Sequence, residues 1–321
     1  KGSENTGMRF KIPTKKYLLC VINALAVSLW LAQTPLAVAA TDQETDQALF
    51  WSIHNGGSPA GYLLGTIHSE DPRVLDFSAE FLDRLRENQL FAMEMVPDLP
   101  TLARLTEYMQ LPPGQSLEAV IGSRRFGVLS NALSGYGVPV DFINRMKPWA
   151  AMMTLSTPPP VTGFYMDLSL SLRASGSGLK VVGLETLEEQ LSFLENMPID
   201  MQLSLLDQAI VELDRVDDAH DQMVEAYLAN NLADLKALTD QQLEEVGQEE
   251  KDYFVQTGIV ERNQRMVKTL LSHLGENTVF VAIGALHLYG EDGLLSLLRQ
   301  HGFELEPLEL PFSKTQANPV P

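Results

Sequence analysis

Two histidines each stand three residues after a glycine, where an apolar run gives out. His68 closes Tyr62-Leu-Leu-Gly-Thr-Ile-His68, and His287 closes Val279-Phe-Val-Ala-Ile-Gly-Ala-Leu-His287. Between them in the chain, Glu94 interrupts a third apolar run, Leu90-Phe-Ala-Met-Glu-Met-Val96. Two imidazoles and a carboxylate form a three-ligand donor set for Zn²⁺, Mn²⁺ or Co²⁺ with a position left open for water. Such an ion lowers the pKa of its bound water and polarises a carbonyl, which is the chemistry of hydrolysis. Glu185 follows Leu179-Lys-Val-Val-Gly183 and adds a second carboxylate, as general base or further ligand. A carboxylate within a run as apolar as that around Glu94 is costly unless it is paired, which points to function. His54, His220, His273 and His301 have polar neighbours and are expected at the surface.

The elements that must carry these residues follow from hydrophobic periodicity. Short runs rich in β-branched and aromatic residues predict buried strands at Ala48–Ile53, Tyr62–His68, Leu90–Val96, Val138–Ile143, Leu179–Gly183, Val279–Ile283 and Phe303–Leu310. Asn55-Gly56 within the loop between the first two predicts a hairpin. Helical spacing of apolar residues predicts helices around 78–88, 101–109, 116–121, 124–135 and from Lys147-Pro-Trp149 onward. Another runs through Asp167 to Ala174, and one begins at Glu188 with Thr186 as its cap. From about 201 to 274 the pattern is helical throughout, with breaks near Asn230-Asn231 and Gly247, and its acidic faces are expected to be a solvated layer or lid.

Strands alternating with helices make the fold class α/β. The two Gly-x-x-His units share an order of strand, histidine, acidic turn (Glu70 and Asp71, then Glu291 and Asp292), helix and strand. The expectation is two related halves converging on one site at the carboxyl ends of their strands, with the helical block as a large insertion. In each motif the glycine lets backbone or ligand approach closely.

Residues 1–40 read as a bacterial secretory signal peptide, with the natural start at Met8. Arg9, Lys11, Lys15 and Lys16 supply the positive region, Tyr17–Leu31 the apolar one, and Ala37-Val-Ala39 the small-x-small cleavage site. A single domain over 41–310 and a disordered tail over 311–321 are expected, with the mature protein in the periplasm or secreted and no membrane anchor after cleavage. Cys20 is the only cysteine, so a processed chain has no disulfide, no thiolate zinc site and no cysteine nucleophile. The whole chain carries 23 Lys+Arg against 42 Asp+Glu. Removing the five basic and one acidic side chains of residues 1–40 leaves 18 against 41, an acidity that argues against nucleic acid as a partner.

Taken jointly, several motifs resemble the TraB/GumN family, which includes the TIKI metalloproteases. They are Leu64-Gly-Thr-Ile-His68, Glu94, Lys147-Pro-Trp149, Gly183-Leu-Glu-Thr186 with Glu189-Gln190, Glu261-Arg-Asn263 and Gly284-Ala-Leu-His287-Leu-Tyr-Gly290. The resemblance covers nearly the whole chain after residue 40. It implies an α/β fold shared with erythromycin-esterase and ChaN-like proteins, and metal-dependent peptide cleavage through His68, His287 and Glu94. It also implies functional positions at Arg262 and Asn263, with Arg262 binding a substrate carbonyl or carboxylate. Asp167 matches a family aspartate with no assigned role, and Lys147-Pro148-Trp149 reads as structural.

The leading expectation is a divalent-metal hydrolase acting on a peptide or protein substrate. Two alternatives stand beside it: a haem-type binding protein in which Tyr289 beside His287 supplies an axial ligand, and a metal-free esterase with His68 as base. No Gly-x-Ser-x-Gly elbow occurs, which disfavours a serine hydrolase.

Overall fold

A computed structural model describes residues 47–244, 246–310 and 312. The expected signal peptide lies outside these residues, as does the expected tail apart from Phe312, which bridges to Phe77.

The sheet has six strands in the order β4-β3-β5-β2-β1-β6. They are β1 (Phe50–Asn55), β2 (Ser58–Thr66), β3 (Leu90–Met93), β4 (Lys180–Gly183), β5 (Val279–Gly284) and β6 (Phe303–Leu308). The β1–β2 hairpin turns on Gly56 and Gly57, whose φ values of 56° and 76° suit glycine. From β2 across β5 and β3 to β4 every pairing is parallel, and β1 and β6 complete the sheet antiparallel. β3 and residues Val279–Ile283 of β5 are buried throughout, which is why they read as unbroken apolar runs.

The parallel register decides where chemistry can sit. Thr66 of β2 pairs with Gly284 of β5, and Met93 of β3 pairs with Ala282 of β5 and Gly183 of β4. All four strands therefore end at one edge of the sheet. His68, Glu94, Glu185 and His287 each lie one to three residues past one of these ends. Glu94 is thus not inside a strand, as its sequence context suggests, but is the first residue beyond β3.

The helices are α1 (Pro72–Leu75), α2 (Ala79–Arg86), α3 (Leu99–Tyr108), α4 (Leu117–Ile121), α5 (Ser123–Gly135), α6 (Val140–Ile143) and α7 (Pro148–Leu155). They continue as α8 (Met166–Gly176), α9 (Leu187–Glu195), α10 (Ile199–Val211), α11 (Val216–Leu228), α12 (Leu232–Glu244), α13 (Gln248–Tyr253), α14 (Glu261–Leu274) and α15 (Leu294–Gln300). The strand expected at Val138–Ile143 is instead the short helix α6. Pro139 at its N-cap removes a ladder donor and pre-sets a helical start, which overrides the apolar alternation. Thr186 caps α9 as expected, in a reciprocal capping box with Glu189.

Two apolar cores result. One packs on the sheet through an aromatic chain in which Phe280 meets Phe81 edge-on at 5.4 Å and stacks with Phe91 at 6.0 Å. The other lies among α3–α7, α9 and α10 around the buried Trp149. There Lys147 Nζ and Trp149 Nε1 converge on Glu195 at 2.7 and 3.0 Å, and Pro148 opens α7, which gives Lys147-Pro148-Trp149 a structural part.

Candidate active site

Gly65 explains the spacing of the first motif. A Cβ there would stand 2.7 Å from Leu288 Cδ1 and 3.0 Å from Ala285 Cα, inside the turn that carries His287. The glycine brings the first histidine's strand against the second histidine's turn. The close approach is therefore between backbones.

At the strand ends, Arg262 sits where an ion was expected. Its Nη2 is 2.7 Å from Glu94 Oε2 and 2.7 Å from Glu185 Oε2, its Nε donates to Glu185 Oε2 at 2.9 Å, and its Nη1 is 3.3 Å from His287 Nε2. The residue is 3% exposed. Arg262, expected to bind a substrate carbonyl or carboxylate, has its guanidinium buried against the two carboxylates of the chain itself. Arg262 and Asn263 open α14 directly after a π-helical segment, Phe254–Val260, a wide turn that recurs at functional sites.

Asn263 fixes the state of His287. Its Nδ2 donates to Asp292 O at 2.7 Å, so Oδ1 faces His287 Nδ1 at 2.6 Å and the imidazole proton sits on Nδ1. The lone pair is left on Nε2, 3.9 Å from Glu94 Oε1. Burial pushes the His287 pKa down to about 4 against the opposing pull of Glu94, which keeps the ring neutral.

Glu94 is held from every side. Oε1 accepts the Gly284 N–H at 2.8 Å, and Oε2 accepts Gln190 Nε2 at 3.0 Å as well as Arg262. Burial alone would raise its pKa, but the Arg262 guanidinium, His287 and the Gly284 amide outweigh it and hold the carboxyl at about 2. Glu185 goes the other way: burial raises its pKa and Arg262 offsets this only in part. Its side chain is fully buried and also meets Arg265 Nη2 at 3.3 Å. Glu185, expected as a general base or further ligand, is not among the cleft-lining residues and pairs with Arg262.

The cleft itself is lined by Glu94, His68, Thr66, Asp167, Tyr165 and Gln190, with Met93, Met95 and Leu286 among its apolar wall. His68 stacks on Tyr165 at 3.9 Å between centroids and 10° between planes, and its Nδ1 lies 3.8 Å from Asp167 Oδ2. Asp167 Oδ1 accepts the Thr66 hydroxyl at 2.5 Å. The family aspartate without a role therefore stands between the Thr66 hydroxyl and the His68 imidazole. Tyr165 is set in turn by Glu70, whose carboxylate accepts the backbone N–H groups of Val161, Thr162 and Gly163.

Two partners of the site, Glu70 and His220, carry no functional signal in the sequence, and a third, Gln190, stands within a family motif without an assigned role. Gln190 is a polar residue on the apolar stripe of α9, between Leu187 and Leu194, and that mismatch is the signal for it. In the sequence Glu70 stands out only as part of an acidic turn. His220, expected at the surface, is half-buried, bonds Ser69 Oγ through Nε2 at 3.0 Å and lines a cavity that also reaches His68. Burial, and then His68, depresses its pKa.

The donor chemistry fits a divalent cation in part. His287 Nε2 carries an unprotonated lone pair, which accepts from Arg262 Nη1 at 3.3 Å, and Glu94 Oε1 lies 3.9 Å from it, so an ion held by this pair would have to displace the guanidinium. Asn263 behind His287 is the kind of second partner that metal-binding histidines use. Among the described residues, however, no group of three or more His, Cys, Asp or Glu stands close enough to share an ion. His68 shares the cleft with Glu94 and not the buried pocket of His287.

Four parallel strand ends delivering a buried Glu–Arg–His network to a cleft define an α/β protein with a polar centre at one edge of its sheet. The TraB/PrgY/gumN family profile matches residues 49–307, and the chain belongs to that family. It is 26% identical over 325 residues to Metalloprotease TIKI2 of Danio rerio, covering 82% of this chain and 61% of that protein. It is 23% identical over 316 residues to Metalloprotease TIKI1 of Homo sapiens, covering 81% and 61%. The uncharacterized protein YbaP of Shigella flexneri is 24% identical over 252 residues, covering 76% of this chain and 89% of its own length. The chain thus spans about three fifths of the TIKI relatives it matches. No solved structure matches it.

Proposed function

We propose that the protein is a metal-dependent hydrolase that cleaves peptide bonds at the Glu94–His68 cleft. The observation that carries this reading is the His287–Glu94 pair, a neutral imidazole with its lone pair fixed on Nε2 beside an ionised carboxylate. The names of the TIKI relatives support metalloprotease chemistry as the class. His287 Nε2 and Glu94 Oε1, with His68 from across the cleft, would hold the ion. When bound it would polarise the scissile carbonyl and acidify a water.

The rest of the work falls to the chain's own side chains. Asn263 keeps the His287 proton on Nδ1, and Arg262 with Gln190 holds the Glu94 carboxylate in place. Asp167 and the Tyr165 ring orient His68 toward the cleft, where its remaining nitrogen would complete the donor set. Met93, Met95 and Leu286 exclude bulk water and strengthen these interactions. A peptide-library cleavage screen with each of Mn²⁺, Co²⁺ and Zn²⁺, and with chelator, tests the reading. Chelator-sensitive cleavage is expected, and no cleavage with any metal would overturn it.

One observation favours a second reading. His68 beside Asp167 resembles a base with its orienting carboxylate, which would serve metal-free ester hydrolysis. Chelator-resistant activity lost in His68→Ala would select it. No comparable feature favours haem.

We further propose an extracytoplasmic site of action, on the strength of the basic and apolar pattern in residues 8–40. Among the described residues no helix is long and apolar enough to cross a membrane. Fractionation of cells expressing the full chain tests the location, with a processed form in the periplasm expected.

A further inference from the structure

The cleft does not end at His68. Beyond the imidazole lies a larger cavity, about 530 Å³ against about 130 Å³, set among α7, α10, α11 and α12. Ile67, His68, Met223 and Leu286 line both, so the two cavities adjoin across these four side chains. Met152, Met153, Leu205, Leu238 and Phe254 make the wall of the larger part. Methionine-rich walls adapt to side chains of differing shape. At the rim stand Glu212 and Asp218, while Arg215 there already pairs with Glu212 at 3.0 Å, so the chamber repels an acidic occupant. In the wall, Thr157 Oγ1 is buried and has no hydrogen-bond partner, a cost that a ligand's backbone group would relieve.

We propose that this chamber is the specificity site of the cleft, taking a bulky apolar side chain of methionine, leucine or phenylalanine size next to the bond that is cut. The inference rests on the peptide-hydrolase reading and gives it a substrate class: neutral or basic peptides with a large apolar residue at one fixed position. It also gives the acidic helical block a task. Its apolar faces enclose the chamber while its carboxylates set the sign of what enters.

The test uses the full chain and two variants, Ala209→Trp, which projects into the chamber from a half-exposed position on α10, and Leu205→Ala, which enlarges it. Cleaved library peptides are resynthesised with Ala, Leu, Met, Phe or Asp at each position flanking the cut. At one position the unmodified protein is expected to favour Leu, Met or Phe over Ala by at least tenfold in kcat/KM and to reject Asp. Ala209→Trp should lower that ratio at least tenfold, and Leu205→Ala should move the preference toward Phe. A ratio that neither variant changes overturns the proposal. A titration with the neutral fluorophore N-phenyl-1-naphthylamine separates this from the underlying reading. Saturable binding weakened tenfold by Ala209→Trp, without peptide cleavage, would leave the chamber an apolar site and sink the hydrolase. Absence of binding together with absence of side-chain preference sinks the chamber.

Discussion

Arg262 Nη2 stands 2.7 Å from both Glu94 Oε2 and Glu185 Oε2, and so joins the ends of two parallel strands, β3 and β4, through one buried cation. Its pKa is pushed above its usual value because the two carboxylates outweigh burial. Arg262→Met leaves the buried Glu185 and the partly buried Glu94 without the cation they share. It should lower the free energy of unfolding by about 3–5 kcal/mol, read by denaturant titration of the metal-free protein. A loss under about 1 kcal/mol would mean that the network reorganises at little cost.

Acid should unfold the metal-free protein in two overlapping steps. His287 has a folded pKa depressed from 6.5 to about 4, so its contribution is complete above pH 6.5 and is lost as pH falls toward 4. Glu94, depressed from 4.5 to about 2, contributes above pH 4.5 and loses that contribution as pH falls toward 2. Glu185, whose pKa is raised, acts with the opposite sign and costs stability once pH rises past the ordinary carboxylate range. The His287 step is worth on the order of 3 kcal/mol. His287→Gln should flatten the stability profile between pH 6.5 and 4, and an unchanged slope there would contradict the assignment.

Gly65→Ala should disturb His287 rather than His68. The added methyl meets Leu288 Cδ1 and Ala285 Cα, and because the second is backbone the turn bearing His287 must shift. A cost of about 1–3 kcal/mol is expected. Nitrogen chemical shifts of the two imidazoles give the readout, with the larger change at His287.

Glu70→Gln should loosen the Val161–Gly163 loop, because a neutral amide accepts three backbone N–H groups less strongly than a carboxylate. Faster amide exchange at these residues is expected, together with a weaker Tyr165 stack on His68 and lower kcat/KM. Unaltered exchange would show that the loop is held by something else.

Much of the fold was legible because β3 and the centre of β5 are buried on both faces and leave unbroken apolar runs in the chain. Thr186 with Glu189 was legible for a local reason, a capping box spaced by the helix itself. Val138–Ile143 misled because six residues of apolar alternation cannot outweigh Pro139, whose effect on the backbone is stronger than the pattern. The site was legible as a set of residue types and only partly as an arrangement. His68, Glu94, Glu185 and His287 all lie at one sheet edge, but which of them face each other depends on Arg262, and nothing in its surroundings Val260-Glu-Arg-Asn-Gln264 marks it as buried. His220 was hidden for the same reason. Its neighbours Asp217, Asp218 and Asp221 are polar, while its own side chain turns inward to Ser69.

Metal content measured on the purified chain tests the central claim most directly. After loading with Mn²⁺, Co²⁺ or Zn²⁺ and removal of excess, about one ion per chain is predicted. His287→Ala and Glu94→Gln should each abolish binding, and His68→Ala should weaken it. Full occupancy in the His68→Ala/His287→Ala double variant, or no retained ion in the unmodified chain with any of the three metals, would contradict the account.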